Sequence, residues 1–118
     1  MKKVLLLLAN GFEAFEASVF ADVIGWNKLE GDLNTELLTT GLHEEIKSTV
    51  GFAVKRELLI SEINVDEFDA LAIPGGFEEK GYYDDAFHED FLNLIKKFHE
   101  SNKIIASICV GALPIAKS

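Results

Sequence analysis

The chain has 118 residues, 48% of them apolar, and a formal net charge of −9. That is the length of one domain with enough apolar side chains for a packed core. The acidic balance excludes a nucleic-acid partner, because phosphates need Lys and Arg, and the single cysteine excludes a disulfide scaffold and fits a reducing, cytoplasmic compartment.

The opening "MKKVLLLLANGFEAFE" imitates a signal peptide. Its apolar core, Val4 to Ala9, is only six residues long, short of the ~7–15 such a core needs. Lys3–Ala9 reads instead as a strand buried on both faces, since it is continuously apolar rather than alternating. No segment approaches the ~20 apolar residues of a membrane span, so no membrane partner is expected. Asn10-Gly11 is a turn. A helix is expected from about Glu13 to Leu29, with Asn10 and Glu13 at the spacing of a cap and its partner and Gly31 closing it. Asn34–Gly41 is a second strand, and "EEIKSTVGFAVKREL" gives two short strands about Gly51, in a hairpin or an edge excursion.

"SEINVDEFD" reads as a short helical turn or loop, and Asp69–Ile73 as another buried strand, stopped by Pro74-Gly75-Gly76. The acidic stretch around residues 78–85 reads as a wet loop. Phe87, Phe91, Leu94, Ile95 and Phe98 recur at helical spacing, which predicts a helix over Ala86–His99. Ile104–Ile108 is the last strand, and Val110–Lys117 begins the last helix. Strands alternating with helices predict a parallel sheet covered on both faces. Ligands in such sheets bind at the carboxyl ends of the strands. Three of those ends carry unusual residues: "NGFEAFE", "PGGFEE" and "CVG".

Cys109 stands at a predicted strand-to-helix corner. A lone cysteine is more often a small buried hydrophobe, but a residue at such a corner is pushed out at the top of the sheet, as in a nucleophile elbow. The helix start favours an anion there. Gly111 lets the backbone approach closely, and Pro114 fits a first helical turn. On the first helix, Phe12, Phe15, Val19, Phe20, Val23 and Trp26 fill an apolar arc, with Ser18 and Asp22 on the wet side. Glu16 falls near the middle of that arc. A buried carboxylate there needs a partner, and a thiolate facing a partly protonated Glu would satisfy both. Gly75-Gly76 can present backbone N–H groups to an oxyanion and, with the Val110 N–H, form a two-donor hole. His43, His88 and His99 have no partner at metal-ligand spacing and read as solvated surface. Neither a metal nor a cofactor is expected.

"LLLLANGFEAFE", "DALAIPGG" and "IIASICVGA", in this order and at these separations, resemble the ThiJ/PfpI superfamily, the family of the Parkinson-disease-associated protein deglycase. The resemblance covers the whole chain. It implies a flavodoxin-like α/β sandwich, Cys109 as the reactive elbow cysteine, Glu16 as the carboxyl that hydrogen-bonds its thiolate, and Gly76 and Val110 as oxyanion-binding amides. Val110 stands where the intracellular-protease branch has a histidine, which leans the resemblance toward the deglycase-like branch. The family's histidine near the cysteine lies beyond the elbow helix. By resemblance the chain is therefore the N-terminal portion of the domain, with a second chain as a possible source of the remainder, and a homodimer through an outer helix is expected.

The leading expectation is chemistry on small reactive carbonyls of the glyoxalase or deglycase type. Cys109 would be the nucleophile and Glu16 the proton shuttle. The alternatives are a redox sensor or stress-response protein oxidised at Cys109, or a non-catalytic regulatory module.

Overall fold

The computed structural model describes residues 1–118. β1 (Lys2–Leu8) is paired on both sides, which is why its sequence is apolar without alternation. α1 (Ala14–Leu29) carries the chain over one face to β2 (Thr35–Gly41), which lies parallel to β1. β3 (Glu45–Lys47) and β4 (Ala53–Lys55) pair antiparallel, so the stretch around Gly51 is a hairpin. β5 (Leu58–Leu59) adds to β2, and two single 3₁₀ turns, Ile60–Glu62 and Val65–Glu67, lead to β6 (Ala70–Ile73). α2 (Tyr82–Ala86) and α3 (Glu89–Glu100) cross the opposite face to β7 (Ile104–Ser107). A 3₁₀ turn, Cys109–Gly111, then opens α4 (Ala112–Lys117).

The five-stranded sheet has the order β5-β2-β1-β6-β7, all neighbours parallel. With helices on both faces, this is the flavodoxin-like α/β arrangement expected from the alternating pattern. Leu5, Leu7, Leu71 and Ile73 point to the α2–α3 side, where Phe91, Leu94, Ile95 and Phe98 complete the larger core. Leu6, Leu8 and Ala72 point to the α1 side and meet Phe12, Ala17 and Ile46. The chain order reverses direction between β1 and β6. Their carboxyl ends therefore open a crevice of the kind in which α/β sheets bind ligands.

Four local expectations are corrected. The predicted helix Ala86–His99 is two helices: Ala86 closes α2, and His88 caps α3 by accepting from the Asp90 N–H at 3.1 Å. Asn10 does not cap α1. Glu13 is itself the N-cap and accepts from the Phe15 N–H, while Asn10 Oδ1 accepts from the Lys47 N–H. The stretch 78–85 is not a uniformly wet loop, since Tyr82 and Asp85 are buried.

The fourth correction concerns α1. Most of its large apolar arc faces outward: Phe15 is 76% exposed and Trp26 60%, with Val19 and Val23 also exposed, whereas Phe12 of that arc is buried and Phe20 half-buried. The sheet is met instead by the small side of the helix, with Ala17 buried and Ala14 and Phe20 partly so. Ser18, assigned to the wet side, lines an apolar groove with Ala21, Leu6, Leu8, Leu37 and Phe52. Small side chains let a helix lie close on a flat strand surface, and bulk on that side would hold it off. No helix is long and apolar enough to cross a membrane.

Candidate functional site

Cys109 follows β7 after a single residue, Ile108. It is solvent-exposed and has φ of 55°, in the left-handed region. That conformation is uncommon for a residue with a Cβ and is held only where the surroundings over-determine it. Here they do. The Ile108 N–H donates to the Ile73 carbonyl at 3.2 Å, and the Gly111 N–H to the Ile108 carbonyl at 3.0 Å. Gly111 is pressed against β6, where a Cβ would fall 2.5 Å from the Ile73 carbonyl oxygen. The chain must therefore turn sharply at Cys109, and only a residue without a side chain fits at the second position after it. The elbow geometry expected from "CVG" is present, although α4 is preceded by a 3₁₀ turn and is only six residues long.

Glu16 lies in the first turn of α1, half-buried. Its Oε1 accepts from the Gly75 N–H at 2.9 Å. The Gly75 carbonyl in turn accepts from the Glu13 N–H at 2.8 Å, so the start of α1 is stitched to the turn after β6 by two bonds. A Cβ at Gly75 would lie 2.8 Å from Glu16 Oε1, 3.1 Å from the Ile108 carbonyl and 3.1 Å from the Val110 N. The carboxylate and the backbone atoms on either side of Cys109 therefore converge on one glycine, with room for no side chain between them. Glu16 reaches this place from the helix's first turn, while Phe15, Val19, Val23 and Trp26 of the arc face solvent.

Of the expected backbone donors, the Gly75 N–H is taken by Glu16, whereas those of Gly76 and Val110 donate to no acceptor within the protein. Gly76 is fixed by its surroundings, since a Cβ there would meet the Tyr82 ring at 2.2 Å and the Gly11 carbonyl at 2.5 Å. The Tyr82 hydroxyl donates to the Pro74 carbonyl at 2.8 Å. Burial, then the negative charge of Glu16, Tyr83 and Cys109, pushes Tyr82 ionisation well above the ordinary tyrosine range. Tyr82 was missed from the sequence because it sits in the stretch read as a wet loop. Its only signal was two adjacent aromatics, Tyr82 and Tyr83, in an otherwise charged segment.

His43 is drawn into the frame of the site rather than left free. Its Nε2 lies 2.9 Å from Asp85 Oδ1, and Asp85 Oδ2 accepts from the Asn10 N–H at 2.8 Å. A separate surface cavity of about 690 Å³ is lined by Asn10, Gly11, Lys47, Ser48, Thr49 and Lys80 among others. It holds neither a thiol nor a carboxylate.

A parallel α/β sheet whose strand ends gather a strained, exposed cysteine, a carboxylate and free amides defines a cysteine-elbow protein. The chain belongs to the DJ-1/PfpI family, whose model matches residues 2–118. It is 30% identical over 109 residues to a deglycase of Thermococcus kodakarensis, covering 92% of this chain and 61% of that protein. It is 29% identical over 109 residues to a deglycase of Pyrococcus furiosus, with the same shares, 92% and 61%. Among solved structures it is similar to the oxidized DJ-1 of Toxoplasma gondii, with a TM-score of 0.78 at 24% identity, covering 99% of this chain and 60% of that one. The chain thus spans about three fifths of the length of these relatives.

Proposed function

We propose that this chain carries a reactive-cysteine site for small electrophilic carbonyls, with glyoxalase- or deglycase-type chemistry. The observation that carries the reading is the convergence of Glu16 Oε1, the Val110 N and the Ile108 carbonyl on Gly75, beside an exposed cysteine in the left-handed conformation. Relatives named as deglycases at about 30% identity support it.

The chemistry follows from the parts. Cys109 Sγ adds to the aldehyde carbon of a 2-oxoaldehyde such as methylglyoxal, and the thiol proton is taken up by Glu16. The oxygen that gains charge is received by the Gly76 and Val110 N–H groups, which have no other acceptor. Glu16 returns that proton to the adduct oxygen, then takes the hydrogen from the former aldehyde carbon as a proton and delivers one to the neighbouring carbon, and water cleaves the resulting thioester, freeing the 2-hydroxy acid and the Cys109 thiol. The balance is one 2-oxoaldehyde plus one water giving one 2-hydroxy acid, with no external oxidant. For the hemiaminal of a glycated amine, breaking the C–N bond with proton transfer from the hydroxyl to nitrogen frees the amine and re-forms the aldehyde, to which the same addition applies.

The test is methylglyoxal consumption with chiral analysis of lactate, in wild type, Cys109→Ser and Glu16→Gln. The expected result is turnover lost in the first variant and reduced at least about 100-fold in the second, the scale of a general acid–base contribution. Turnover that survives Cys109→Ser overturns the reading.

The exposure of Cys109, with no second cysteine to resolve an oxidised form, favours redox sensing as a second reading. Mild peroxide would then add ~16 or ~32 Da at Cys109 without turnover of carbonyls.

The outward apolar arc of α1 supports a homodimer through this helix. The outer edge of β7, beside exposed Ile104, supports a further strand there, from a second chain or from more of the same domain. The lone free thiol is consistent with a reducing, cytoplasmic setting.

A further inference from the structure

The Pro74–Gly75 peptide unit is held at both ends. Its carbonyl oxygen accepts from the Tyr82 hydroxyl at 2.8 Å, and its N–H donates to Glu16 Oε1 at 2.9 Å. A peptide unit is planar, so fixing the direction of the oxygen fixes the direction of the N–H across it. Tyr82 is wholly buried, and its ring is packed where a Gly76 side chain would otherwise stand. One side chain therefore sets the orientation of the amide that holds Glu16 and the seat of the next amide, Gly76. Nothing in the proposed chemistry consumes the Tyr82 hydroxyl, which is spent on a backbone carbonyl.

We propose that Tyr82 is the positioning residue of this site: by clamping the Pro74 carbonyl it aims the Gly75 N–H at Glu16 and so fixes the carboxylate beside Cys109. The inference deepens the reading of Glu16 and Cys109 as the reactive pair and rests on it. Without the hydroxyl, the buried Pro74 carbonyl has lost its donor and must turn toward another. The Gly75 N–H then turns with it, and Glu16 is no longer held. Loss of that hold matters because misplacement of about 1 Å costs about 100-fold in rate. Its high ionisation point keeps Tyr82 a neutral donor throughout the physiological range.

The decisive variant is Tyr82→Phe, which leaves the ring in the core and removes one oxygen. It is compared with Glu16→Gln and with the double variant, by methylglyoxal turnover and by the rate of Cys109 alkylation with iodoacetamide. Y82F is expected to unfold cooperatively, to lose about 10- to 100-fold in kcat with KM nearly unchanged, and to shift the alkylation rate. The double variant is expected to be no slower than E16Q alone, because both substitutions act through one peptide unit. Wild-type kcat and alkylation in Y82F, or strictly additive losses in the double variant, overturn the proposal.

If the wild-type protein does not turn over methylglyoxal, the carbonyl reading fails, and the alkylation comparison still decides on Tyr82. Should Y82F fail to fold, hydrogen exchange in the wild type decides. A protected Gly75 amide beside a fast-exchanging Gly76 amide is expected, and a freely exchanging Gly75 amide overturns the clamp.

Discussion

His43 Nε2 donates to Asp85 Oδ1 across 2.9 Å, joining the segment after β2 to the end of α2. The other Asp85 oxygen takes the Asn10 N–H at 2.8 Å. One buried carboxylate thereby holds the turn after β1. From that turn the Gly11 carbonyl accepts the Phe77 N–H at 2.9 Å, next to Gly76. The frame of the candidate site is thus hydrogen-bonded across four separate segments of sequence.

Asp85→Ala is expected to destabilise the fold by about 1–3 kcal/mol, since it leaves the Asn10 N–H without its acceptor. Asp85→Asn, which keeps an acceptor oxygen, should cost less. Urea denaturation of the two variants checks the order. Equal losses would mean that Asp85 matters only as packing.

Gly111→Ala should be poorly tolerated. The new Cβ would fall 2.5 Å from the Ile73 carbonyl oxygen and 3.1 Å from Pro74, both backbone. The elbow must then move off β6, at a cost of roughly 1–3 kcal/mol, the usual scale of overpacking. Thermal unfolding together with Cys109 alkylation reads both consequences. A variant that matches wild type in each would show that the corner has slack.

Strain at Cys109 gives an unusual stability ordering of two variants that lack the thiol. The left-handed backbone costs a residue with a Cβ roughly 1–2 kcal/mol, more than the ~0.4–1 kcal/mol glycine adds to unfolded-state entropy. Cys109→Gly should therefore be more stable than Cys109→Ala. The opposite order in paired denaturation curves would show that the corner relaxes.

Asp69 predicts part of the acid limb. Its Oδ2 accepts from the Lys3 N–H at 2.8 Å. That bond holds the carboxyl below the ordinary range, against the opposing effect of burial and with help from Lys2 and Lys103. A lowered folded-state value adds stability above the unfolded value, about pH 3.9, which is lost as pH falls through the folded value. Asp69→Asn should flatten stability against pH below about pH 4, measured by denaturant titration at stepped acid pH. An unchanged slope would exclude Asp69 as a contributor.

Tyr82 predicts the alkaline limb with the opposite sign. Burial, with nearby negative charge, raises its folded-state ionisation above the unfolded value. Its contribution is complete below about pH 10 and is lost as pH rises through the folded value, because the unfolded chain releases its proton first. Tyr82→Phe should lose less stability than wild type between about pH 10 and pH 12. Parallel losses would mean that other groups govern that limb.

The alternation of strands and helices was legible in the chain, apart from β5 and the break between α2 and α3. Continuous apolar runs such as Leu5–Leu8 can be satisfied only between layers, and Asn10-Gly11 and Pro74-Gly75-Gly76 can only turn. The sequence also marked Cys109, Glu16, Gly76 and Val110, because each is an unusual residue at the carboxyl end of a strand or at the start of a helix.

How these residues meet, and which side chains hold them, is set only when the chain folds. The outward face of α1 could not be read from its wheel. Periodicity locates an apolar arc, but the sheet accepts whichever side packs closest, and here that is the small side at Ala17. Nor could the pattern show that Glu16 would bind the Gly75 N–H, or that Tyr82 and Asp85 would be buried out of a charged stretch. Hydrogen bonds between residues 59 or 75 positions apart depend on where strands register against one another, which only the folded chain sets.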